Sequence, residues 1–162
     1  MNTGQMMLTI GAVVLLGMTV LTVNQSLSNN GFILQQTEIG IYKVSLGSSV
    51  LEEAMGKSFD ENSTESDLSS TASLSTTLGP ESGETHADFD DFDDYNNYTT
   101  SYVVEGVDSM TVQCHIVYVD PSNPDGSTTT PTWHKKITVN VWGSVLPDTV
   151  TFTQIFSYWS FR

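Results

Sequence analysis

Five aspartates, Asp88, Asp90, Asp91, Asp93 and Asp94, stand within seven residues, interleaved with Phe89, Phe92 and Tyr95. Carboxylates at that density suggest calcium, a hard cation that takes six to eight oxygen ligands. Crowded carboxylates repel one another, and a divalent cation reverses that sign. The spacing is not that of an EF-hand loop, which places oxygen ligands at alternate positions with a glycine at the sixth. The rings indicate a loop anchored on a core, since a purely solvated charge run has no use for them. Two readings therefore stand for residues 88–97: a loop stiffened by calcium, or a turn whose carboxylates accept backbone N–H bonds. The second needs no ion and is preferred.

Other reactive side chains are sparse. Cys114 is the one cysteine, which excludes an internal disulfide and a zinc site built on several thiolates. It falls inside a strand pattern and reads as a buried, inert thiol. His86, His115 and His134 lack any HExxH or CxxC context. His115 adjoins Cys114, but neighbouring residues on a strand face opposite sides. No GxSxG, P-loop or GxGxxG occurs, so the chain carries no enzyme signature. Asn62 and Asn97, with Asn24, sit in N-x-S/T triplets and are candidate glycan acceptors.

Charge is distributed unevenly. Nineteen acidic residues against five basic ones give a net charge of −14, and residues 58–100 hold eleven of the acids with no Lys or Arg. Such a chain is repelled by phosphate backbones, which argues against direct nucleic-acid binding.

The positioning elements follow from hydrophobic pattern. Residues 6–23 (MMLTIGAVVLLGMTVLTV) are eighteen uncharged residues. As a helix they span about 27 Å, close to the ~30 Å hydrocarbon core of a bilayer. Leu27, Leu34, Ile41, Val44, Leu51 and Met55 recur at spacings of three, four and seven and predict an amphipathic continuation to about residue 56, with Gly56 as its stop. The β-branched run after Gly17 predicts local unwinding between Gly17 and Asn24. Residues 58–77 contain eleven Ser or Thr and predict a loop. Residues 101–162 alternate in period two and are rich in Val, Thr, Ile and aromatics. Four strands are expected, near 102–105, 110–119, 133–142 and 149–159, with 120–126 as a turn. The fold class is α+β: a long N-terminal helix, apolar in its first half, packed on a C-terminal antiparallel sheet of about four strands. The expected segments are 1–24, an apolar helix of membrane-spanning length; 25–57, its amphipathic continuation; 58–100, the loop; and 101–162, the sheet.

Met1-Asn-Thr-Gly-Gln5, followed at once by the apolar run, resembles the start of the type IV pilin family. The resemblance implies a homo-oligomeric helical filament held together by the first half of the helix. Met1 would be the processed and methylated first residue, and Gln5 would occupy the family's glutamate position, both in subunit docking. Met6, Met7 and Leu8 would enter the filament core, and Gly11, Ala12 and Gly17 would allow close helix packing. Implied partners are the pilus assembly machinery and the inner membrane before assembly, with an extracellular filament afterwards. Two departures stand out: position 5 is an amide, and the mid-helix proline of one subgroup is absent. Asp90-Asp-Phe-Asp-Asp-Tyr-Asn96 also resembles a run in accessory proteins of the mannose-sensitive haemagglutinin pilus type. A minor pilin or secretion-system pseudopilin is the alternative reading. A calcium-dependent adhesin on a membrane anchor is a further one.

Overall fold

A computed structural model describes residues 2–64, 66–105 and 108–161. The chain divides into two compact units, Met1–Ile39 and Gly40–Arg162. One helix, α1 (Thr3–Met55), contributes to both.

The first half of α1 exposes its apolar side chains all round, and its most apolar eighteen-residue window has a mean hydropathy of 2.3 with none of it buried. It is long and apolar enough to cross a membrane. Its hydroxyls are satisfied internally. Thr19 donates to the Leu15 carbonyl at 2.8 Å, Thr22 to Met18 at 2.9 Å and Ser26 to Thr22 at 2.9 Å. This back-bonding gives each threonine a partner without leaving the helix. It also accounts for a correction: α1 runs unbroken through residues 17–24, where local unwinding was expected. Where solvent offers no hydrogen bonds, keeping the helical ladder outweighs weak propensity.

The second half packs on the sheet along a different face from the expected stripe. Ile41 and Val44 are exposed, as are Leu27 and Leu34 before them, while Lys43, Gly47, Val50 and Ala54 form the buried line. Leu46, Leu51 and Met55 flank it, half-buried. Gly47 is required there, because a Cβ would overlap the Phe152 ring and lie 3.1 Å from Val141 Cγ2. The Gly56 N–H closes the helix on the carbonyls of Glu52 and Glu53.

Five antiparallel strands follow: β1 (Thr99–Val104), β2 (Asp108–Asp120), β3 (Asn123–Thr128), β4 (His134–Gly143) and β5 (Thr149–Ser157). Their order is β1-β2-β4-β5, with β3 paired to the far end of β2. β3 replaces part of the turn expected over 120–126, where Asn-Pro-Asp-Gly is turn chemistry. It pairs through Tyr118↔Thr128 and Asp120↔Asn123 with a register shift between them. Cys114 lies opposite Val139 and Ile116 opposite Ile137. One sheet face therefore presents Met110, Val112, Cys114, Ile116 and Tyr118 beside Lys135, Ile137, Val139 and Val141, all buried. Against it sit Val50 and Ala54 of the helix and Phe59, Phe89, Phe92 and Tyr95 of the loop.

Candidate functional site

The acidic run is a turn built on its own carboxylates. Asp91 Oδ1 accepts the N–H groups of Asp93 and Asp94 at 2.7 and 3.1 Å. Asp94 Oδ2 accepts those of Asp90 and Asp91 at 3.0 and 3.1 Å. Asp93–Tyr95 thereby winds into a single 3-10 turn. Short side chains that bond nearby backbone favour such turns over regular structure. Phe89, Phe92 and Tyr95, all buried, hold the turn on the sheet, with Phe89 and Tyr95 edge to face at 5.2 Å. Asn96 completes the attachment: its Nδ2 donates to the Leu78 carbonyl at 3.0 Å and its Oδ1 accepts the Ile116 N–H at 2.9 Å.

Beneath the turn lies a charged centre that spans three segments. Lys135 on β4 is wholly buried. Its ammonium donates to the Phe59 carbonyl at 2.8 Å, to Asp60 Oδ2 at 2.8 Å and to Asp93 Oδ1. It also lies 4.7 Å from the Phe59 ring centroid and 5.4 Å from that of Tyr118. Asp60, wholly buried too, takes the Ser75 N–H at 3.0 Å, the Asn62 N–H at 3.2 Å and the Tyr118 hydroxyl at 3.3 Å. The Asp60–Ser63 pair forms a reciprocal cap on the short turn that follows.

Electrostatics sorts three of the four buried acids among the described residues. Burial opposes ionisation of Asp60, but the Lys135 charge and the bonds from Lys135, Ser75 and Asn62 outweigh it and hold the carboxyl below its usual range. Burial pushes Asp93 up, against the pull of Lys135. Asp91 is pushed up to about 9, first by burial and then by the neighbouring Asp93 charge. At neutral pH Asp91 is therefore a carboxylic acid. Among the described residues, none donates to its Oδ2.

The five aspartates thus do not converge on one point. Asp88 is exposed and accepts the Thr85 N–H and hydroxyl at 3.2 and 2.8 Å, and Asp90 is exposed as well. Asp91, Asp93 and Asp94 are buried and engaged by backbone or lysine. Among the described residues, the one group of three acids close enough to share a metal ion is Glu81, Glu84 and Asp94. There Glu81 is pushed up to about 7, by burial and by its hydrogen bond to Glu84. Asn62 and Asn97 are exposed, the latter with a positive φ of 63°. Gln5, Met6, Met7, Leu8, Gly11, Ala12 and Gly17 lie on the exposed apolar half of α1, and Met1 is outside the described residues. Sequence reasoning did not find Lys135 or Asp60. Parity was the available signal for the lysine, since it shares a strand face with Ile137, Val139 and Val141.

No protein-family model, curated protein or solved structure matches this chain. A single long apolar N-terminal helix joined to an antiparallel sheet is compatible with a pilin-like fold and with membrane anchoring.

Proposed function

We propose that this chain is a structural subunit of an extracellular helical filament of the type IV pilus kind, assembled through the first half of α1. The observation that carries the reading is an apolar surface with no partner inside the molecule. Met7, Leu8, Val13, Leu15, Leu16 and Leu21 are each about two-thirds or more exposed. Full burial of one such side chain is worth about 1.5–3 kcal/mol. A dozen of them left in water would cost more than a domain's typical net stability of about 5–15 kcal/mol. The surface must therefore be covered at every stage. A bilayer covers it before assembly, and helices of identical subunits cover it afterwards. Small side chains at Gly11, Ala12 and Gly17 suit close helix approach. A Cβ at Gly11 or Gly17 meets nothing within 4 Å in the single chain. Any penalty for filling these positions therefore arises between subunits.

The test is electron microscopy of sheared surface material, with membrane fractions from the same cells. Gly11→Leu and Gly17→Leu are expected to abolish filaments while the membrane-inserted monomer persists. Normal fibres from both variants overturn the reading. The abundance of the chain in parent fibres separates a major subunit from a minor pilin or pseudopilin. A parent found only as a membrane monomer points to an anchored binding module instead.

A further inference from the structure

We infer that Lys135 and Asp93 condense to an amide, a covalent cross-link between the acidic loop and strand β4, with Asp91 as the proton donor and Asp60 as the base. This inference is independent of the filament reading.

The reactants are already assembled. Lys135 Nζ rests directly on Asp93 Oδ1, and both side chains are almost completely withdrawn from solvent. A β4 position and a backbone-bonded 3-10 turn hold them in place, so the encounter is intramolecular and its entropy is spent in folding. Phe59 and Tyr118 form an aromatic wall at the ammonium. In such a setting charge is disfavoured, and a neutral amide replaces a desolvated ion pair.

The remaining groups match the needs of acyl transfer. Asp91 is buried, retains its proton at neutral pH and hydrogen-bonds to Asp93. Asp60 Oδ2 lies 2.8 Å from Nζ and is held ionised by the Lys135 charge and by bonds from Lys135, Ser75 and Asn62. Asp60 takes one proton from the ammonium. The freed lone pair forms a C–N bond to Asp93 Cγ, while Asp91 protonates the carbonyl oxygen. The new nitrogen then gives a proton back to Asp91, Asp60 returns its proton to the hydroxyl, and the C–O bond breaks to release water, leaving both acids as they began. The ammonium and the carboxylate thus become a secondary amide and one water, with no change of oxidation state and no co-reactant.

The experiment is intact-mass and peptide-level mass spectrometry of the full chain purified in detergent. The parent is expected to lie one water below its sequence mass, and a branched peptide should join the segments holding Asp93 and Lys135. Lys135→Arg keeps the charge but cannot condense, and Asp91→Asn keeps the turn acceptor but removes the proton. Both are expected at full sequence mass, with the native circular dichroism of Asp91→Asn showing that the fold survives. N-terminal processing is common to all three chains and cancels. A parent at full sequence mass, or a water loss mapped elsewhere, overturns the cross-link. A water loss that persists in Asp91→Asn overturns the role of Asp91.

Discussion

Two glycines two turns apart on α1 should respond oppositely to the same substitution. Gly40 and Gly47 both lie inside α1, where glycine costs about 0.5–1 kcal/mol relative to alanine. A Cβ at Gly40 would meet nothing within 4 Å. Gly40→Ala should therefore stabilise the fold by roughly that amount. A Cβ at Gly47 would enter the Phe152 ring and press on Val141. Phe152 is half-buried on β5, so relief requires the ring to swing outward and give up packing. Overpacking of this kind costs about 1–3 kcal/mol, which exceeds the propensity gain. The propensity gain is common to both, so the two alanine variants should differ by the overpacking cost, about 1–3 kcal/mol. With a urea dependence of about 1–3 kcal/mol per molar, their midpoints separate by roughly 1 M. The assay is urea unfolding of the full chain in non-ionic micelles, followed by tryptophan fluorescence. Adding Phe152→Leu to Gly47→Ala should recover most of the loss, a coupling of about 0.5–3 kcal/mol. Equal stabilisation by both alanines would show that helix and sheet do not meet at Gly47, and the assigned buried face of α1 would be wrong.

Three further outcomes are expected. Lys43, buried on that face, donates to the carbonyls of Leu146 and Asp148 and to the Asp148 carboxylate at 2.7–2.9 Å. Lys43→Met should cost about 1–3 kcal/mol by orphaning those acceptors, and limited proteolysis should open at residues 144–148. Stability should fall as pH rises from 5 to 8. The folded value for Asp91, about 9, lies above its ordinary 3.8, so its contribution is complete below 3.8 and is lost as pH rises towards 9. Asp60, depressed below 3.8, loses its stabilisation only at more acid pH and does not offset this trend. The slope approaches about 1.4 kcal/mol per pH unit for one proton, and a flat or rising profile over that range would mean that Asp91 is ionised in the fold. Calcium and then chelator should leave the melting midpoint and loop proteolysis unchanged, because the buried carboxylates already have donors; a calcium-dependent midpoint would restore the cation reading of residues 88–97.

What sequence pattern reveals depends on whether burial is signalled by apolar type. β2 and β4 are legible because Val112, Cys114, Ile116, Ile137, Val139 and Val141 alternate strictly and face the core. The apolar half of α1 is legible because it holds no charge at all. The buried face of the second half is not. It runs through Lys43 and Gly47, one of them charged and the other without a side chain, while the more apolar Ile41 and Val44 face outward. Hydrophobic periodicity selects the wrong stripe there, since it cannot weigh two backbone acceptors offered to Lys43 from a hundred residues away. β3 fails for a related reason: apart from half-buried Gly126 and Thr128 its residues are exposed, and only pairing with β2 defines it.

The acidic run shows how local signals and distant ones combine. Its crowding is visible in the sequence, and so is the docking of its rings. What relieves the crowding is not visible. Backbone N–H groups take Asp91 and Asp94, a retained proton neutralises Asp91, and Lys135 takes Asp93. Asp60 reaches the same lysine from a Ser/Thr-rich stretch 75 residues away in sequence. Removing one partner of such a buried pair leaves an uncompensated charge, at a typical cost of about 3–5 kcal/mol. Contact with Lys135 at Asp93 therefore fastens the loop to the sheet at a fully buried point. That coupling makes residues 58–98 part of the sheet unit's core, although their composition alone reads as loose connection.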